Sequence, residues 1–166
     1  CTGMIHHYYP ELFRDDPVNL NRVEQLIKKT FEFSQFFVNV LGMDDIGASF
    51  PYTVTYHPSC HGSRLLGVKE EPYRMLQQVR GIKLVPLSYA EDCCGFGGTF
   101  SVKMPDISGA MVGEKCAHVR RTEADVLVGT DMGCLMNIGG YLKKQGHPIR
   151  ILHLAELLYE GVKTHA

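Results

Sequence analysis

The 166 residues suffice for one domain with its own hydrophobic core, so the six cysteines are not needed as covalent staples. A net charge of -1 and a pI near 6.8 offer no electrostatic basis for binding nucleic acid or an anionic membrane, and no block of like charge marks a tail. No apolar run spans a bilayer and no signal-peptide pattern occurs, so a cytoplasmic protein, at most peripheral to the inner membrane face, is expected; there thiols stay reduced, and loop cysteines read as metal ligands or redox groups before disulfides.

The chain opens on Cys1 with no initiator Met, as a fragment or a processed piece would, and passes at once into Met4-Ile5-His6-His7-Tyr8-Tyr9-Pro10. Residues 1 to 15 are expected to form a helical turn or two that stops before Asp15-Asp16-Pro17. Asp16 can cap the next helix with Pro17 at its first position. Leu20, Val23, Ile27, Phe31, Ser34, Phe37, Val38 and Leu41 then recur near helical spacing, which predicts one helix up to Gly42. Its Phe31, Phe33, Phe36 and Phe37 read as core or subunit contacts.

The β-branched and aromatic run Tyr52 to Tyr56 predicts a strand that delivers His57 and Cys60 to its carboxyl end. Residues 71 to 80 suit a helix, with Pro72 near its start and Gly81 after it. Residues 82 to 87 form the next strand, closed by Pro86 and running into Asp92-Cys93-Cys94-Gly95-Phe96-Gly97-Gly98. A helix is predicted over 105 to 121, with Pro105 in its first turn and Arg120 and Arg121 where the dipole favours cations. Residues 125 to 130 read as a buried parallel strand leading to Cys134, at the start of a helix that ends about Gly146. Residues 149 to 153 give the last strand and 154 to 162 the last helix.

Strand alternating with helix predicts a three-layer α/β fold, a mostly parallel sheet with flanking helices and right-handed crossovers. Sites in such sheets form outside the carboxyl ends of the strands, where Cys60, Cys93, Cys94 and Cys134 are all expected. Four converging thiolates would repel one another unless a cation or cluster neutralised them, and all-sulfur ligation selects zinc, copper(I) or iron–sulfur over magnesium or calcium. Cys116 lies mid-helix in a stripe with Val112 and Val119 and is expected to be structural, while Cys1 has no local partner to assign it. His57 and His61 flank Cys60 and can act as ligands or as hydrogen-bond donors to ligands; His57 is assigned to the cofactor site. Gly95, Gly97 and Gly98 lack the order of a dinucleotide-binding loop and read as room for a cluster, with backbone N–H groups facing its sulfurs.

The order Cys60, then Cys93-Cys94-Gly95, then Gly133-Cys134 resembles the CCG cysteine-rich domain found in heterodisulfide reductase and in iron–sulfur components of glycolate and glycerol-3-phosphate oxidising systems. Cys1-Thr2-Gly3-Met4-Ile5, the segment His7 to Phe13, Tyr56 to His61 and Cys93 to Ser101 bring it nearest to the lactate-utilisation members of that family. The resemblance implies two repeats per polypeptide, with residues 1–45 the tail of a preceding repeat plus a linking helix and 46–166 one CCG domain. It also implies an iron–sulfur cluster, [4Fe-4S] or alternatively a zinc ion, in an electron-transfer subunit whose partners are the other subunits of an L-lactate-oxidising complex. One departure stands out: the family commonly closes on CxxC, whereas Cys134-Leu135-Met136-Asn137 ends on asparagine, which favours a four-sulfur site over a non-cubane cluster of five thiolates.

Two other functions compete. A zinc-stabilised, non-catalytic interaction module would use the same thiolates, and a metal-free dithiol exchanger would use Cys93 and Cys94, although adjacent cysteines form strained disulfides. No hydride-carrier motif, Ser/His/Asp triad or carboxylate pair occurs, so oxidation of lactate itself is not assigned to this chain. If a first repeat is missing, Met4, Tyr8, Tyr9 or the Phe-rich helix should be exposed and promote a homo-oligomer.

Overall fold

The computed structural model describes residues 1–163. Its four strands are β1 (Thr53–His57), β2 (Lys83–Val85), β3 (Val126–Gly129) and β4 (Arg150–His153), all parallel and ordered β2-β1-β3-β4. The helices are α1 (Tyr9–Leu12), α2 (Pro17–Ile27), α3 (Phe33–Gln35), α4 (Glu71–Gln78), α5 (Thr99–Lys103), α6 (Pro105–Arg121), α7 (Met132–Lys144) and α8 (Leu154–Lys163). The expected three-layer α/β architecture is the one observed.

Alternation along the strands sorts the side chains into two cores, because successive residues of a strand face opposite sides of the sheet. Val54 and Tyr56 of β1, with Val126 and Val128 of β3, pack on one face against Met75 and Leu76 of α4 and Leu154, Leu157 and Leu158 of α8. Leu127 of β3 faces the other way, onto Val112, Cys116 and Val119 of α6 and Leu135, Ile138 and Leu142 of α7. The same alternation sends His57, one residue beyond Tyr56, toward the α6/α7 side. The first connection from β1 leads outward to β2, while β3 lies on the other flank of β1, so the strand order reverses between β1 and β3. A crevice opens outside the carboxyl ends of strands at such a reversal, and His57 and Gly129 are paired there.

The helix expected to run unbroken from Pro17 to Gly42 is corrected by the structure. Asp16 caps α2 as expected, its carboxylate accepting from Asn19 N–H at 3.1 Å, but α2 ends at Ile27. The Thr30 hydroxyl donates back to Leu26 O at 2.8 Å, and Thr30 O is bonded by the His6 ring at 2.8 Å. Glu32 then starts a new helix with extended backbone, its carboxylate accepting from Ser34 N–H at 2.8 Å and Gln35 N–H at 3.3 Å. A π-helical turn over Phe36–Val40 follows α3, and another over His61–Leu65 replaces the loop expected after Cys60. Helix α5, directly after Gly98, was not expected either.

Candidate metal centre

Three carboxyl-terminal segments build the centre. β1 ends on His57 and turns through Pro58 and Ser59 into Cys60, which starts the His61–Leu65 turn; Gly62 N–H bonds Ser59 Oγ at 3.0 Å and the Ser63 hydroxyl donates to Ser59 O at 2.9 Å, fixing that corner. β2 is followed by the loop that carries Cys93 and Cys94. β3 runs into Asp131, whose carboxylate accepts from Cys134 N–H at 3.0 Å and so caps α7 with Cys134 in its first turn.

Gly95 fixes the double-cysteine turn. Its φ of +82° lies where only glycine is comfortable, and a Cβ there would sit 2.7 Å from Ser108 O and 3.0 Å from Met111 Cβ. The approach is tied down by the Ser108 hydroxyl, which donates to Gly95 O at 2.8 Å, and it aims Gly95 N–H at the Cys93 sulfur, 3.4 Å away. On the other side of the turn Asn137 Nδ2 donates to Cys94 O at 2.9 Å. The residue that departs from CxxC thus holds the backbone of Cys94.

Cys60, Cys93, Cys94 and Cys134 line one cavity of about 390 Å³, together with His61, Phe96, Gly97, Gly98 and Asp131. The sulfurs of Cys94 and Cys134 and a ring nitrogen of His57 lie within 4.8 Å of one another, all three residues buried. Cys60 and Cys93 touch each other and are half-buried at the mouth. The quartet therefore meets as an inner and an outer pair, and the tightest group of donor atoms among the described residues includes a histidine. Gly97 and Gly98 border the cavity, whereas the N–H groups that reach sulfur come from Gly95, from Phe96 toward Cys94 and from His61 toward Cys60. Cys116 lies within the α6/α7 core and Cys1 is exposed, each away from the cavity.

The inner pair is polarised. The Cys134 thiol donates toward Cys94, which with the adjacent His57 ring and the Phe96 N–H holds the Cys94 thiol well below its ordinary range despite burial. Cys134 is pushed up by the same partner and by burial, and Cys60 is raised by burial and by neighbouring Cys93. The two inner sulfurs share one hydrogen bond, and a second thiolate beside the first is unfavourable without a cation. His57, 1% exposed, has both ring nitrogens buried without a hydrogen-bond partner. Leaving such a group unsatisfied costs about 1–3 kcal/mol. Crowded thiols beside an orphaned imidazole fit a sulfur-ligated metal group.

The sequence gives no role to Asp131 or Phe96, and it marks Asn137 only as the departure from CxxC, not as a donor to the Cys94 carbonyl. Asp131 carries a signal, as an Asx residue just before a helix, while Phe96 stands out only through its neighbours.

The CCG cysteine-rich domain family matches residues 54–139. Among curated relatives, "Lactate utilization protein A" of Exiguobacterium sp. is 55% identical over 163 residues, covering 98% of this chain and 66% of the relative. The protein of that name from Geobacillus thermodenitrificans is 54% identical over 158 residues, covering 95% and 66%. "Lactate utilization protein A 2" of Bacillus cereus is 48% identical over 162 residues, covering 98% and 67%. The chain thus spans about two thirds of the length of these relatives.

Proposed function

The chain belongs to the CCG cysteine-rich domain family, and from that membership we propose that it is the iron–sulfur, electron-transferring part of a system that oxidises L-lactate. The observation that carries this reading is the convergence of Cys60, Cys93, Cys94 and Cys134 on one cavity beside the orphaned ring of His57. The four cysteines would hold the cluster, [4Fe-4S] being the form that four thiolates suit, and when bound it supplies one-electron redox chemistry. The chain's own part is to hold thiolate charge: the N–H groups of Gly95, Phe96 and His61 face the sulfurs, and His57 lies against Cys94. Gly97 and Gly98 line the same cavity as the four sulfurs.

The names of the relatives support the link to lactate, and they support partners in the form of other subunits of a lactate-utilising system. We read residues 1–45 as the tail of a preceding repeat with its linking helix and 46–166, which contain the matched segment 54–139, as one CCG domain. A cytoplasmic setting is part of the same proposal; among the described residues no helix is long and apolar enough to cross a membrane.

A zinc-stabilised interaction module is the second reading, favoured by the mixed nitrogen and sulfur donors of His57, Cys94 and Cys134. Anaerobic reconstitution with iron and sulfide separates the two. The electron-carrier reading expects visible absorption that bleaches on reduction and returns on oxidation, lost in Cys94→Ser and Cys134→Ser but kept in Cys116→Ser. Tight uptake of zinc with no uptake of iron would replace it by the interaction module.

A further inference from the structure

Lys115, in the middle of α6, is 1% exposed and heads the large side chains that are fully buried. Its ammonium donates to Tyr89 O at 2.5 Å and to Ala90 O at 3.1 Å. These are neutral acceptors, and no carboxylate lies within ion-pair distance of it among the described residues. A buried ammonium satisfied only by carbonyls is costly where a Met of similar length would pack without penalty, so something nearby must compensate it.

The surroundings identify the compensation. The two carbonyls belong to the turn that immediately precedes the double cysteine, a turn with Tyr89 in a left-handed conformation at φ +51° and with Asp92 N–H bonded back to Tyr89 O. Lys115 also borders a second cavity, of about 240 Å³, whose wall includes the opposite side of Cys93 along with Arg64, Asp92, Glu114 and His118. Burial disfavours the ammonium; Asp92 opposes this first, then the sulfurs of Cys94, Cys93 and Cys134. Every one of these opposing groups is either the acid beside the cysteine pair or a sulfur of the pair and its partner.

We propose that Lys115 is a positioning residue of the metal centre: from beneath the Cys93-Cys94 turn it supplies a fixed buried positive charge that offsets the thiolates and holds the turn in its ligating shape. The inference rests on the metal-centre reading above. A cluster or a zinc ion bound by four thiolates carries net negative charge, and one-electron reduction of a cluster adds another. A fixed cation beside it favours the loaded site over the empty one, and the reduced cluster over the oxidised one.

Three variants separate charge from shape. K115M removes both charge and donors, K115Q keeps a donor for the turn but no charge, and K115R keeps the charge. Zinc affinity measured by competition with a chromogenic chelator, and the midpoint potential of protein reconstituted with iron and sulfide, are the readouts, with thermal unfolding of the metal-free protein as the structural control. K115M and K115Q should bind zinc about tenfold more weakly and lower the one-electron midpoint by the equivalent tenfold change, about 59 mV. K115R should lie near wild type in both. K115Q matching wild type in affinity and potential would overturn the charge role, even if K115M lost stability. Wild-type protein that takes up neither zinc nor iron would overturn the metal reading and this inference together, a result distinct from the first.

Discussion

Gly95→Ala probes the link between backbone and ligand geometry most sharply. At φ +82° an L-residue costs roughly 1–2 kcal/mol relative to glycine, partly offset by about 0.4–1 kcal/mol from a less flexible unfolded chain. To this is added contact. The new Cβ would stand 2.7 Å from Ser108 O and 3.0 Å from Met111 Cβ, well inside the roughly 3.5 Å of a relaxed carbon contact, and the nearer atom is helix backbone that cannot rotate away. Forced shifts of that kind cost about 1–3 kcal/mol. The expected loss is about 3 kcal/mol, or roughly 6–12 °C in melting temperature for a chain of this size. Gly67→Ala, with φ +71° and nothing within 4 Å of its Cβ, carries only the conformational part and should cost about 1 kcal/mol. Urea unfolding of the two metal-free variants measures the difference. Because the displaced turn also carries the N–H that faces Cys93, Gly95→Ala should take up less metal per chain than Gly67→Ala. Equal stability loss and equal metal uptake in the two variants would refute the packed-turn reasoning.

Burial raises the Cys116 thiol to about 11 from an ordinary value of 9.0, so the fold favours its neutral form. The contribution is full below pH 9 and is lost as pH rises through 11; of order 2–3 kcal/mol should disappear in wild type over that interval, and Cys116→Ala should show a shallower fall in urea titrations at paired pH values. Asp131→Ala should lose about 1 kcal/mol through the uncapped α7, with Asp131→Asn losing less; equal losses in the two would remove the capping role. Met4, Tyr8 and Leu12, the last 72% exposed, frame an apolar depression of about 400 Å³. Concentrated protein is expected to self-associate there and Leu12→Glu to prevent it, while a strict monomer by light scattering would contradict the expectation.

The sheet was legible because its strands are short β-branched runs bounded by Gly and Pro, and α6 was legible to its ends because Pro105 starts it and the basic pair Arg120 and Arg121 closes it. The break between α2 and α3 was not, since it depends on where the Thr30 carbonyl finds a donor, and that donor is His6, 24 residues away. The four cysteines could be gathered from topology alone: each follows a strand of a parallel sheet. Their division into an inner and an outer pair could not, because burial at the carboxyl ends depends on how the 86–98 loop folds over β1 and β3. His57 could be recognised as a core-facing donor only once the phase of β1 was fixed by Tyr56 facing the opposite core. Lys115 carried no signal, since a lysine beside an apolar stripe reads as a surface residue until the loop above it is placed.

The central claim is that four cysteines from three separate segments serve one metal centre while the other two do not. Cysteine footprinting by alkylation and mass spectrometry, on the metal-free protein and on protein loaded with iron and sulfide under anaerobic conditions, tests it residue by residue. Cys60 and Cys93, half-buried at the mouth, should react in the metal-free protein and become protected on loading; Cys1 should react equally in both states, and buried Cys116 in neither. After unfolding under conditions that retain the metal, Cys94 and Cys134 should remain protected longer than Cys116. Unchanged reactivity of Cys60 and Cys93 on loading would contradict a single shared centre.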